Sequence, residues 1–266
     1  MFHKAKATSL APAPAKKTGR QVLIVSLLIL FLVGVFVYLE IDLLMAIGSF
    51  PQFVLFFFNN FLPPDFGNTL DYLPLIEDTV LFAVVGTYLS AFLAFIFGLL
   101  ISEKINPYKP LRLVVKFIIS FLRNVPVLIW AALLIYIFGI GNMVGLIALV
   151  FATLGFLSRS YAESIDEIAG TKLESLKACG ASRMQILFHG LIPEFIPAWI
   201  NWTLFSFEIN IRASAILGMV GAGGIGIMIQ TNIRLFKYNE ALSLVIILVC
   251  MVLVTEFITN KVRARV

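Results

Sequence analysis

The chain has 266 residues, of which 60% are hydrophobic and only 13% charged, and its mean hydropathy is +0.99. No soluble domain needs so much apolar surface, so the composition excludes a water-soluble globular protein and indicates an all-α, polytopic helical membrane protein. The formal charge of +5 would suit nucleic acid or an anionic surface, but the placement of the charges explains it better; Cys179 and Cys250 suggest neither a disulfide nor a metal pair.

Residues 1–21 hold Lys4, Lys6, Lys16, Lys17, Arg20 and an Ala-Pro repeat, and read as a flexible basic tail. The first span follows over 22–38. With no small-x-small site after it, it reads as a retained signal anchor. Residues 40–77 carry acids but no Lys or Arg, and FPQFVLFFFNNFLPP reads as too short and broken for an easy span. The region 22–76 is therefore a first span plus an external interfacial segment at 41–63.

The second span is expected at 78–101 and a short polar loop at 102–112. A long apolar region, 113–138, holds Lys116 near its start and Arg123-Asn124-Val125-Pro126 further in. A turn at 139–142 leads to the fourth span, 143–158. The fifth span is placed at 194–217, a loop at 218–239 and the last span at 240–259, giving six spans. Gly141-x-x-x-Gly145 fits close helix packing.

Between the fourth and fifth spans lies a polar hairpin, 163–193, dense in stop and start signals. Thr171/Glu174 and Ser182/Gln185 each have capping-box spacing. Gly180 and Gly190 stand where short helices at about 172–179 and 183–189 should end, and Pro193 bars continuation. The spacing predicts two short helices meeting at Gly180–Ala181, with His189 closing the second. Such a hairpin suits being gripped by a soluble partner.

Basic residues orient the spans. With the N-terminus inside, the inner segments hold fifteen Lys/Arg and the outer ones only Arg234 and Lys237, as the positive-inside rule requires. Both termini and the hairpin are then cytoplasmic, and no nucleic-acid partner is needed.

Motif absences narrow the chemistry. No phosphate-binding G-x-x-x-x-G-K-[ST] loop, no G-x-S-x-G turn and no metal-ligand spacing occurs, which argues against an enzyme and leaves the metal set empty. Gly221, Gly223 and Gly226 match G-x-G-x-x-G, but between membrane spans and without a preceding strand. Gly218, Gly221, Gly223, Gly224 and Gly226 read instead as a packing turn or gate. Polar residues inside spans are costly unless paired or used. Two clusters stand out: Arg123 with Asn124, and Glu208, Asn210 and Arg212. One reading is structural, with Glu208 and Arg212 paired four residues apart and Arg123 snorkelling. The other is a water-accessible path whose arginine forks hold an oxyanion.

The hairpin resembles the cytoplasmic loop of ABC importer permeases. Glu174, Gly180, Ile192 and Pro193 fall in that signature's places, while Ser175 and Leu176 replace its two alanines. RNVPVLIWA (123–131), YAESIDEI (161–168), ACGASRMQI (178–186) and FEINIRASAILGMVGAGGIG (207–226) with IRLFKY resemble permease subunits of phosphonate-type importers, over roughly 75–266. The resemblance implies a type I importer permease fold, with 77–266 as the permease core. It implies a homodimer in the bacterial inner membrane, two cytoplasmic ATPase subunits that hold ATP and Mg, and an extracytoplasmic solute-binding protein. No cofactor is expected on this chain. The resemblance makes Glu174, Lys177, Ala178, Gly180, Ala181 and Arg183 the ATPase contact, and a phosphonate, phosphite or similar oxyanion the solute. A methionine-type permease, a secondary transporter and a membrane-anchoring protein are the alternatives.

Overall fold

The computed structural model describes residues 18–40 and 42–265; the basic tail expected at 1–21 lies almost wholly outside the described residues, as do the side chains of Glu174, Lys177 and Arg183. The chain divides into two compact units, Met1–Phe58 and Asn59–Val266. In the first, α1 (Thr18–Tyr38) is apolar on every face, and nearly all its described side chains are exposed. That pattern suits a helix solvated by hydrocarbon. The segment expected to be broken at 41–63 is instead one helix, α2 (Leu43–Phe61), with Pro51 taken inside it.

The second unit is built on α3 (Leu73–Ile101), which enters through a 3₁₀ turn at Thr69–Tyr72 with Pro74 in its first turn. Its buried positions form a stripe of small residues: Ala83, Gly86, Ser90, Ala91, Ala94 and Gly98. Small residues let backbones approach where no hydrophobic effect separates helix from lipid. Any Cβ at Gly86 would sit 2.7 Å from a Leu149 methyl, and one at Gly98 would sit 3.1 Å from the Tyr161 Cβ. The partner is α6 (Asn142–Ala178), which is 37 residues long. At about 1.5 Å rise per residue it spans roughly 55 Å, well beyond a hydrocarbon core of about 30 Å.

Between them the apolar region expected as one stretch is two helices, α4 (Lys109–Asn124) and α5 (Val127–Phe138), bent by 93°. Val125 takes an extended conformation ahead of Pro126, as a residue before proline prefers. The Trp130 indole N–H donates to the Leu122 carbonyl at 3.3 Å across the bend.

After α6 the chain turns at Gly180, forms a single turn, α7 (Arg183–Gln185), and passes through π-helical winding at Ile186–Leu191 into α8 (Ile192–Leu217). The expected pair of short helices is therefore corrected. The first is the end of α6, with Thr171 inside a helix rather than capping one, and the second runs on into α8. Gly190 does not stop a helix; a Cβ there would lie 2.6 Å from the Leu176 methyl, so it is small to admit that side chain. A second π turn (Gly218–Ala222) precedes α9 (Ile225–Arg234), a helix where a loop was expected, and α10 (Tyr238–Arg263) closes the fold.

Among the described residues, five helical segments are long and apolar enough to cross a bilayer, six if the bent α4–α5 pair counts as one. Between α6 and α8 polar ties fix the register. The Tyr161 and Thr203 hydroxyls lie 2.6 Å apart, and the Trp202 indole donates to Ser164 Oγ at 3.0 Å.

Candidate functional site

The polar residues expected to line a path divide three ways. Arg123 ends α4 at the bend, and there it borders a cavity of about 270 Å³ between the α4–α5 corner, α6 and α8. Val127, Leu149, Phe156, Ile209 and Ala213 give the cavity apolar walls; Thr153, Ser206 and Asn210 give it polar ones. No acidic side chain lines it. Among the described residues the Arg123 guanidinium makes no hydrogen bond or ion pair. Its backbone is held closely: a Cβ on Gly155 would lie 2.7 Å from the Arg123 nitrogen and 2.9 Å from its Cα. Gly155 thus permits α6 to press on the last turn of α4, a role the sequence reading missed because a glycine inside a span has many uses.

Asn210 also borders the cavity, but its amide is largely committed. Thr153 Oγ1 donates to its Oδ1 at 3.0 Å, and its Nδ2 donates to Thr87 Oγ1 at 2.8 Å. One buried amide therefore joins α3, α6 and α8, since leaving it unbonded would be costly. Asn124, one residue from Arg123, is exposed and takes no part in the cavity wall.

Glu208 and Arg212 do not pair. Glu208 accepts from the Arg263 guanidinium at 2.6 Å and from the Thr259 hydroxyl, both at the end of α10, with only 11% of its side chain exposed. The expected i,i+4 pair is thus replaced by a tertiary one: the α10 groups take the Glu208 carboxylate, while Arg212, one turn on, lies on an exposed stripe of α8. The stripe runs Phe205, Ile209, Arg212, Ile216, and Arg212 has no partner among the described residues.

The glycine-rich turn has a backbone explanation. Gly223 and Gly224 have φ of +87° and +72°, which favour residues without a Cβ. The Ile225 N–H donates to Thr79 Oγ1 at 2.8 Å, and a Cβ on Gly226 would lie 1.8 Å from the Ala215 carbonyl oxygen. Gly221 is also at positive φ, and Gly218 faces the carbonyl oxygen of Gly223 at 2.3 Å from its would-be Cβ. The G-x-G-x-x-G match is a turn between helices, with no strand among the described residues to make a βαβ unit.

At the hairpin, Gly180 has φ +80° and the Ala181 N–H bonds back to the Leu176 carbonyl at 3.1 Å, the six-to-one bond of a glycine-terminated helix. The Ser182–Gln185 box is made in both directions, at 2.8 and 3.4 Å. Ala178, Gly180, Met184 and Phe188 are exposed around this turn, the last two at 68% and 58%. Asp166, quoted above only as part of YAESIDEI, proves structural. Its carboxylate accepts from Ser102 Oγ at 2.5 Å and from the backbone N–H groups of Glu103 and Lys104, fastening the 102–104 turn to α6.

These features define a multi-pass helical membrane protein with a short capped turn projecting from two long helices and a cation-bearing cavity between them. That is the architecture of a transporter's membrane subunit. Residues 91–266 match the family described as binding-protein-dependent transport system inner membrane component, and the chain belongs to it.

Among relatives, the phosphite transport system permease protein PtxC of Stutzerimonas stutzeri is 27% identical over 202 residues, 76% of this chain and 74% of that protein. The phosphate-import permease protein PhnE of Mycolicibacterium smegmatis is 30% identical over 88% of this chain, which spans 44% of its length. The methionine import system permease protein MetP of Bacillus subtilis is 28% identical over 168 residues, 59% of this chain and 76% of that protein. The fold matches the inward-facing MetNI methionine ABC transporter, with a TM-score of 0.59 and 24% identity over 73% of this chain and 97% of that one.

Proposed function

We propose that this chain is the permease subunit of an ATP-driven importer for a phosphonate, phosphite or related phosphorus oxyanion. The observation that carries the proposal is the unpaired Arg123 at a cavity free of acids, in a chain related to permeases named for phosphite and phosphate. A guanidinium fork matches a tetrahedral oxyanion, and walls without carboxylates do not repel it.

In this proposal two copies face each other across the exposed α8 stripe that includes Arg212, and two cytoplasmic ATPase subunits grip the turns at 178–185. ATP and Mg are held there and not on this chain. An extracytoplasmic binding protein delivers solute on the opposite side, and both termini lie in the cytoplasm. Asn124 and Arg212 are path residues only once the second copy is in place, whereas Glu208 acts as a tether.

The test is a tagged purification from native membranes in mild detergent, followed by titration of the recovered binding protein with methylphosphonate, phosphite, phosphate and methionine. Recovery of an ATPase and a binding protein selective for a phosphorus oxyanion supports the proposal. Selectivity for methionine overturns the substrate, and a chain that moves solute alone overturns the importer.

A further inference from the structure

Ser206 is a buried hydroxyl without a partner. The residue is 2% exposed, its Oγ makes no hydrogen bond, and it lines the same cavity as Arg123. A helical serine has an easy remedy in the carbonyl one turn back. Thr203, three residues earlier on α8, takes it by donating to the Trp199 carbonyl at 2.6 Å, and Ser160 on α6 does the same to Phe156 at 3.2 Å. Ser206 does not. Ser158, the other serine among the described residues with an unbonded buried hydroxyl, is outside this cavity wall.

A polar atom left unbonded in apolar surroundings is tolerated where something else bonds it part of the time. The other polar groups at this cavity are already engaged or already cationic. Thr153 and Asn210 bond each other, Asn210 also bonds Thr87, and Arg123 offers only donors. A visitor that brings acceptors and negative charge would satisfy Ser206 and Arg123 together. At about 30 Å³ per water, a cavity of about 270 Å³ holds a small tetrahedral oxyanion with several waters.

We propose that the cavity between Arg123 and Ser206 is an oxyanion subsite on the translocation path, with Ser206 donating its hydroxyl to the solute that Arg123 attracts. The identity of that solute as a phosphorus oxyanion rests on the function proposed above; the anion selectivity of the subsite does not.

The first arm uses the assembled transporter in proteoliposomes. Ser206→Ala removes the donor and leaves no protein partner unbonded, so the complex should assemble with an undiminished Tm. Uptake of methylphosphonate and phosphite at low concentration should fall by at least about tenfold, as for loss of a hydrogen bond to a charged group. Wild-type uptake in Ser206→Ala overturns the role of Ser206.

The second arm reads the site without transport. In a chain carrying Cys179→Ala and Cys250→Ala, Ser206→Cys is exposed to a sulfonate-bearing and to an ammonium-bearing methanethiosulfonate reagent. The anionic reagent should react about tenfold faster, lose that advantage in Arg123→Gln, and be slowed by millimolar methylphosphonate. Equal or faster reaction of the cationic reagent overturns the subsite whatever the solute. Anion preference without protection by methylphosphonate or phosphite upholds the subsite and overturns the phosphorus solute.

Discussion

Replacing Arg263 tests the tertiary pair directly, because the pair spans helices that the sequence would not join. The Arg263 guanidinium lies 2.6 Å from Glu208, and the two side chains are 26% and 11% exposed. Removing one partner of a mostly buried pair strands the other charge, at a cost of about 3–5 kcal/mol for full burial. Partial exposure of Arg263 and the remaining Thr259 bond reduce this, so Arg263→Ala should destabilise by about 2–3 kcal/mol. For a chain of this size that is a fall in Tm of roughly 4–12 °C, taking about 2–4 °C per kcal/mol. Glu208→Gln keeps an acceptor for Thr259 and should cost about 1 kcal/mol. The double variant should recover most of the loss, with a coupling of at least about 1 kcal/mol. The assay is thermal unfolding of the purified chain in detergent at fixed lipid content. A silent Arg263→Ala together with a destabilised Arg212→Ala would restore the i,i+4 pair and refute the tertiary one.

Other substitutions probe the close approaches. Gly226→Ala puts a Cβ 1.8 Å from the Ala215 carbonyl oxygen, so the turn cannot form and the chain should not accumulate in membranes; normal expression and Tm would contradict this packing. Gly155→Ala forces the backbone of Arg123 to shift, costing about 1–3 kcal/mol and displacing the guanidinium, so uptake should drop several-fold in correctly assembled transporter. Unchanged uptake would mean that the position of Arg123 is not critical. Asp166→Ala leaves the 102–104 turn without its acceptor, and limited proteolysis should then cut there first. Equal protection in the variant would remove Asp166 as the fastening group.

The helical membrane architecture was legible in the sequence because span-length apolar runs report directly on the bilayer. The Ser182–Gln185 box and the Gly180 stop were legible because caps are local chemistry. Thr171/Glu174 has the same spacing yet lies inside α6: a capping box has no free N–H groups to satisfy in a helix that arrives already formed, and α6 carries enough packed surface to run through it. Glycines misled similarly, since Gly190 and Gly155 are small for a neighbour rather than for a turn, and the neighbour is far away in sequence. The Glu208 pairing failed for the reason tertiary contacts usually do. A residue four positions away is always a candidate, whereas Arg263, 55 residues on, becomes one only when α10 has been placed. Ser206 carried no signal at all, because only the absence of a local bond marks it.

The continuity of α6 carries a mechanical consequence. From Gly155, against Arg123, to Ala178 beside the exposed turn is 23 residues of one unbroken helix, or roughly 35 Å. Two short hinged helices would let the turn move without disturbing the cavity; a continuous rod does not. Gly170 lies on that rod with nothing within 4 Å of its would-be Cβ. Gly170→Ala should therefore be accepted, stiffening the helix by about 1 kcal/mol, with uptake per ATP hydrolysed equal to wild type or better. Gly170→Pro removes a hydrogen bond and crowds the carbonyl of Asp166 four residues back, costing about 3 kcal/mol and introducing a kink. In the complex proposed above, the kinked chain should still insert and still co-purify with an ATPase, but uptake per ATP should collapse. If Gly170→Pro transports as well as Gly170→Ala, the rod does not link the turn to the cavity, and coupling must pass through the π-wound entry to α8 instead.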